Sequence, residues 1–312
     1  MIAPIQDFIR NKPNLMIITD GPLRWIPFEA LLCHPPQRPL NFSRMDYLIN
    51  HHQISYAMSA GLAFRTFLRD SPTYFALNPG LLGVAPVAFI QDSPAEGFVN
   101  LLPHSEWEVR SIAYLFEQAA QPADLYLRSE ATEKNLIQHI ADFSHVHIAT
   151  HNYVDEKNPY FSHMIFHPED SLMHPSPGIE VPLSHRDGHL YAREIYKLRL
   201  ATQLLVLSSC GSGLGKAAPG EGALSLLRAF SYAGVSRIVY TLWDIHDEPT
   251  SHLFISFYEH LLKEKQGYEQ ALRSAKIRMI THPNTAFPLY WSGIVLQNHG
   301  FGNPGLTVSQ KN

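Results

Sequence analysis

Apolar residues fall along this chain in two patterns: short continuous runs, and longer stretches where they recur every three or four positions. The first pattern marks buried strands and the second marks helices with one apolar face. Strands are predicted at Leu15–Ile18, Ile54–Met58, Leu82–Val87, Leu125–Leu127, His145–Thr150, Leu204–Leu207 and Ser236–Leu242. Helices are predicted from Ser59 to about Leu68, over His104–Ala119, from Thr132 to about Ile140 and near Ala192–Lys197. Three more cover Ala223–Ala233, Thr250–Glu264 and Tyr268–Ile280. Ser59 and Thr132 are residues that cap helix N-termini, and Gly234 is of the kind that stops a helix with a left-handed backbone. Residues 152–188 form a polar, Pro-rich connection with one strand at Met164–Phe166, and connections of that length usually carry function. Strands alternating with helices predict a mostly parallel, doubly wound sheet with helices on both faces, an α/β fold. No repeat, low-complexity tract or boundary interrupts the pattern, so residues 1–312 read as one domain.

Charge and cysteine content narrow the chemistry. Lys+Arg total 24 against 28 Asp+Glu, a net charge of −4 with no basic run, so no nucleic-acid partner is expected. Cys33 and Cys210 are the only two cysteines, too few for a disulfide framework and not paired as in a zinc motif, which fits a reducing cytoplasm. The opening Met1–Asp7 lacks the basic-then-apolar order of a signal peptide. The longest apolar stretch, Leu81–Ile90, is broken by Gly83 and Pro86 and is too short to span a bilayer. A soluble, cytoplasmic protein without membrane contact is expected. With 18 histidines, position matters more than residue identity.

The most informative stretch is Gln203–Gly215, where a buried run ends in Ser208, Ser209 and Cys210 and enters a loop with Gly211, Gly213 and Gly215. A thiol at a strand end before a Gly-rich turn lies at the sheet edge where α/β proteins build sites. The bland reading is an inert core cysteine, a common fate of free thiols. Against it, Ser144–His151 repeats the arrangement with an imidazole at the strand end. One sheet edge can therefore hold Cys210 as nucleophile and His151 as its base and later acid. The backbone N–H groups of Cys210 and Asn152, with Gly211 beside them, are candidate oxyanion donors. Asp244 and Asp247 leave the same edge after the next strand. One of them is a candidate for the pocket that takes the residue before the scissile bond, the alternative being surface solvation and helix capping. Ser209 borders that pocket, and Trp243 is either its wall or a core aromatic.

Two other motifs carry less. His145, His147 and His151 could share one strand face, but no carboxylate ligand accompanies them and the first two lie inside an apolar run, so no metal is assigned. The loop Gly211–Lys216 lacks the hydroxyl residue of a phosphate loop, Ala217 standing in its place.

At these residues the chain resembles the CHAT family, caspase-like cysteine proteases of the group that includes separase, caspases and gingipains. The resemblance lies in Asp20–Leu32, His147–His151, Leu205–Gly215, Gly220–Phe230, Ala233–Trp243, Asp247–Glu248 and Pro288–Ile294, in that order. It implies a caspase-like sandwich, a His151/Cys210 dyad and peptide-bond hydrolysis with no metal or cofactor. It also implies a protein substrate and an activating partner or ligand, often acting through a tetratricopeptide-repeat array, and in some bacterial members a role in defence or regulated cell death. The opening Ile2–Asp7 matches the inside of the family's first segment, as in a protease domain cut from a longer repeat protein. Asn152 replaces the family's usual Gly, and Asn tolerates the left-handed backbone that would keep its N–H on the oxyanion. Gly211 and Ser212 replace an acidic residue and Thr, which alters the substrate subsite. The expected function is a cysteine endopeptidase. The alternatives are a non-catalytic caspase-like scaffold and a thiol amidohydrolase acting on small amides.

Overall fold

Residues 3–36, 41–61, 63, 78–87, 102–155, 157–169, 187–208, 221–243 and 247–298 are described by a computed structural model, with the side chains of 221–224 set aside. The strands are β1 (Asn14–Ile18), β2 (Gln53–Ala57), β3 (Asn78–Ala85), β4 (Ala123–Leu127), β5 (Phe143–Ala149) and β6 (Asn152–Tyr153). They continue with β7 (His163–Ile165), β8 (His189–Tyr191), β9 (Leu204–Ser208), β10 (Arg237–Thr241) and β11 (Ile294–Asn298). The helices are α1 (Gln6–Ile9), α2 (Leu48–His51), α3 (Pro103–Gln118), α4 (Glu133–His139), α5 (Ala192–Ile195), α6 (Glu221–Ala233), α7 (Asp247–Leu262) and α8 (Tyr268–Thr281).

Eight strands pair in the order β1-β2-β11-β10-β9-β5-β3-β4, every neighbouring pair parallel except β10 with β11. All of β5 and β9 is buried, as expected of central strands covered on both faces, and this is why β9 opens on the continuous apolar run Leu204–Leu207, while β5 carries the buried polar residues Ser144, His145 and His147 among its apolar ones. On one face Leu81, Leu204, Val206 and Val239 pack with Ile112 and Phe116 of α3, Phe254 and Phe257 of α7 and Ala275 of α8. On the other, Val84, Val146, Ile148, Leu205 and Leu207 meet Leu136 of α4, Ile195 of α5 and Phe230 of α6. The fold is the predicted three-layer α/β sandwich.

Local signals behave as their chemistry dictates. The Thr132 hydroxyl caps α4, accepting from the Asn135 N–H at 3.2 Å. Gly234 ends α6 with φ at +121°, and a Cβ there would lie 2.0 Å from the Leu200 carbonyl oxygen, so no other residue fits. Beyond Ser59 only Ala60, Gly61 and Ala63 of the predicted helix are described, and they are helical. Two expectations need correction. The described part of the connection 152–188 holds two short strands, β6 and β7, not one, and β8 just beyond it completes a three-stranded antiparallel sheet. β11 was not predicted; its run ends in Gln297 and Asn298, and it counts as a strand only because β10 and β2 satisfy its backbone on both sides. Among the described residues no helix is long and apolar enough to cross a membrane.

Buried polar groups are paired across the layers. Lys276 Nζ of α8 lies 2.9 Å from Glu29 Oε1, and Tyr56 of β2 donates its hydroxyl to the other oxygen of that carboxylate. His145 of β5 contacts Ser144 Oγ at 2.8 Å and Tyr268 Oη at 3.1 Å. Burial pushes its pKa down to about 4, with the carbonyls of Pro79 and Gly80 opposing the shift. The unfolded ring takes up a proton near its ordinary value while the folded ring refuses it, so stability is complete above about pH 6.5 and falls as pH drops toward 4. The shift corresponds to a loss of about 3 kcal/mol. Glu133 has the opposite slope, pushed up to about 8 by burial and then by Glu194, Asp187 and Glu169. Urea unfolding at pH 7 and pH 4.5, compared between the wild type and His145→Gln, isolates the histidine; an identical acid slope in both would refute the assignment.

Candidate active site

Strand pairing sets the frame of the site. β5 and β9 are adjacent and parallel, with Ala149 opposite Ser208. His151 follows Ala149 by two residues, and in the sequence Cys210 follows Ser208 by two. β10 lies on the far side of β9, parallel to it, so Trp243 leaves the same edge of the sheet. Cys210, Ser209, Gly211 and Asp244 lie outside the described residues.

His151 is held tightly. It is 3% exposed, and its carbonyl accepts the Ile165 N–H at 2.9 Å. The preceding Thr150 hydroxyl donates to the Ile165 carbonyl, so β7 grips both residues at the end of β5. Asn152 then opens β6, opposite Met164. Because the bond to β7 uses the His151 carbonyl, Asn152 and Met164 are a non-hydrogen-bonded pair, and the Asn152 N–H faces away from β7. The left-handed backbone expected of Asn152 is not found: it is an extended strand residue, because the ladder with β7 sets its dihedrals. The amide therefore reaches its orientation by strand alternation, without a positive φ.

Behind this edge, on the helix-covered face of β5, His147 Nε2 sits 2.6 Å from Glu108 Oε1 of α3, both side chains fully buried. Phe254 and Tyr258 of α7 pack on the ring, at 5.5 Å and 5.7 Å between centroids. With His145 bound by Tyr268 and His147 by Glu108, these two imidazoles are committed to the core. The contact with Glu108, 39 residues away in sequence, could not be read from the chain.

The remaining predicted site residues take different places. Asp247 accepts the His104 N–H at 2.9 Å through Oδ2, closing the first turn of α3, and burial raises its pKa. Trp243 is half-buried, its indole laid against Gly293, where a Cβ would come within 2.5 Å of the ring. Val87, expected as the last residue of the strand Leu82–Val87, instead lies just past β3 at this edge and holds φ at +69° while its carbonyl accepts the Leu102 N–H at 2.9 Å. A β-branched residue seldom adopts that conformation.

Comparison with known proteins agrees with this architecture. The family model described as CHAT domain matches residues 1–298. Tetratricopeptide repeat protein 28 of Mus musculus is 24% identical over 95% of this chain, and its Homo sapiens counterpart is 22% identical over 95%. The chain spans only 13% and 12% of the lengths of those relatives. Among solved structures, the Arg-specific cysteine proteinase gingipain R superposes with a TM-score of 0.55 at 14% identity, covering 96% of this chain and 67% of that one. The likeness extends to the fold, which is caspase-like.

Proposed function

We propose that this chain, which belongs to the CHAT domain family, is a cysteine endopeptidase using Cys210 and His151. One observation carries the reading: parallel, in-register β5 and β9, which bring Ala149 opposite Ser208 and launch two segments of equal offset, one to the imidazole and one to the thiol. His151 takes the thiol proton as Cys210 sulfur bonds to the scissile carbonyl carbon. The N–H groups of Asn152 and Cys210, with Gly211 beside them, donate to the oxyanion that forms. The C–N bond then breaks as His151 passes its proton to the leaving amine. Water, deprotonated by the same ring, finally hydrolyses the thioester.

With the Asp247 carboxylate engaged at the end of α3, Asp244 is the acidic residue assigned to the substrate subsite, bordered by Ser209 and with Trp243 behind it. The similar proteins bear the name of tetratricopeptide repeat proteins and are far longer than this chain, which supports a repeat array as the activating partner. Regulated cell death or bacterial defence is the setting assigned to the cut.

The test is covalent. A peptide carrying a thiol-directed electrophile should label Cys210, mapped by mass spectrometry against Cys33 as internal control. In His151→Ala the rate should drop about 100-fold or more. Absence of labelling at Cys210 in the wild type with its partner present would favour the non-catalytic scaffold.

A further inference from the structure

The geometry points to a divalent metal site of the zinc type, remote in sequence from the dyad, with Cys33, Asp46 and His51 as its ligands. The Sγ of Cys33, a carboxylate oxygen of Asp46 and a ring nitrogen of His51 all lie within 4.8 Å of one another. A thiolate, an imidazole and a carboxylate are each ligand types that zinc accepts at four-coordinate sites.

These residues are brought together by a rigid frame. Leu32 and Tyr47 form an antiparallel bridge, the Cys33 N–H donates to the Asp46 carbonyl at 2.8 Å, and the Leu48 N–H donates to the Leu31 carbonyl at 2.7 Å. Cys33 and Asp46 are therefore a cross-strand pair. α2 starts two residues after Asp46, its Leu48 and Ile49 buried in the core, and its last residue is His51. The ligand atoms thus rise from backbone fixed on three sides.

Asp46 is the centre of the cluster. Its Oδ1 lies 2.6 Å from His51 Nε2 and its Oδ2 2.6 Å from His34 Nδ1. Ligand bonds of about 2.0–2.3 Å place tetrahedral donors roughly 3.4 Å apart, so a metal enters by opening the Asp46–His51 contact by under about 1 Å while Cys33 closes in. On binding, the thiol proton leaves to solvent and the His51 ring proton moves from Nε2 to Nδ1. His34 stays on the outer oxygen of Asp46 as a positioning partner, and water fills the fourth position.

Cobalt(II) tests this directly. In a Cys210→Ala chain, Cys33 is the only thiol left of the two in the sequence. A near-ultraviolet thiolate-to-cobalt band is expected to saturate at one equivalent and to bleach when zinc is added. Cys33→Ser should abolish it. Asp46→Asn and His51→Gln should weaken binding about 100-fold, and His34→Ala about 10- to 100-fold. No band, or a band of unchanged affinity in Asp46→Asn and His51→Gln, overturns the site. Should Cys33→Ser fold poorly by circular dichroism, the zinc displacement titration with Cys33 intact decides alone.

Discussion

Cys210→Ala is expected to bring peptide-bond cleavage down to background while circular dichroism and the thermal midpoint stay unchanged. His151→Ala should lower kcat by about 10²–10⁴-fold, the range that a positioned general acid–base supplies. The double variant should be no slower than Cys210→Ala, because residues acting as one unit lose their effect together. That non-additivity separates a working dyad from two unrelated contributions, in which the losses would multiply. The second residue is well suited to the role: a histidine 3% exposed, its main chain tied to β7 through its own carbonyl, at the end of a central strand. Cleavage persisting in Cys210→Ala would remove the nucleophile assignment, whatever the fold.

Lys276→Ala should cost about 3–5 kcal/mol of stability, because it strands a buried carboxylate. Lys276 and Glu29 are 1% and 3% exposed at the side chain, and their 2.9 Å contact joins α8 to the short helical turn Phe28–Ala30. Tyr56 adds the second donor to Glu29 and itself accepts the Phe28 N–H at 2.8 Å. The ammonium is the cation in direct contact with that carboxylate, so its loss leaves an ion in a low-dielectric interior. Pairing Lys276→Met with Glu29→Gln should recover most of the stability, since a neutral amide still accepts from Tyr56 and needs no counter-charge. Urea unfolding at neutral pH reads both, as a shift in midpoint at constant slope. A loss below about 1 kcal/mol in Lys276→Ala would mean that water already reaches the pair.

The central strands were legible because burial on both faces leaves a continuous apolar run, as in Leu204–Leu207, and the helices because one buried face imposes a period near 3.6. β11, β6 and β8 were not, since their strands run for two to five residues and carry polar side chains at their ends, whereas β7 was anticipated at Met164–Phe166, one residue out of place. Such segments take their structure from partners, not from their own pattern. Asn152 shows the same limit at the site: its residue type allowed a left-handed backbone, and the ladder to β7 gave it an extended one.

By itself the sequence determined the layer architecture, the two strands β5 and β9 that precede His151 and Cys210 in the chain, and the family to which the chain belongs. Those properties depend on local periodicity and on residue type at a strand terminus, both written contiguously along the chain. Only the tertiary structure decided that β5 and β9 are neighbours in register, that Glu108 answers His147, that Glu29 answers Lys276, and that Cys33 meets Asp46 and His51. All but the Asp46–His51 contact, five residues apart, join separate elements, and hydrogen bonding and charge pairing act at ångström range, so nothing in the linear spacing records which partner the folded layers bring within reach.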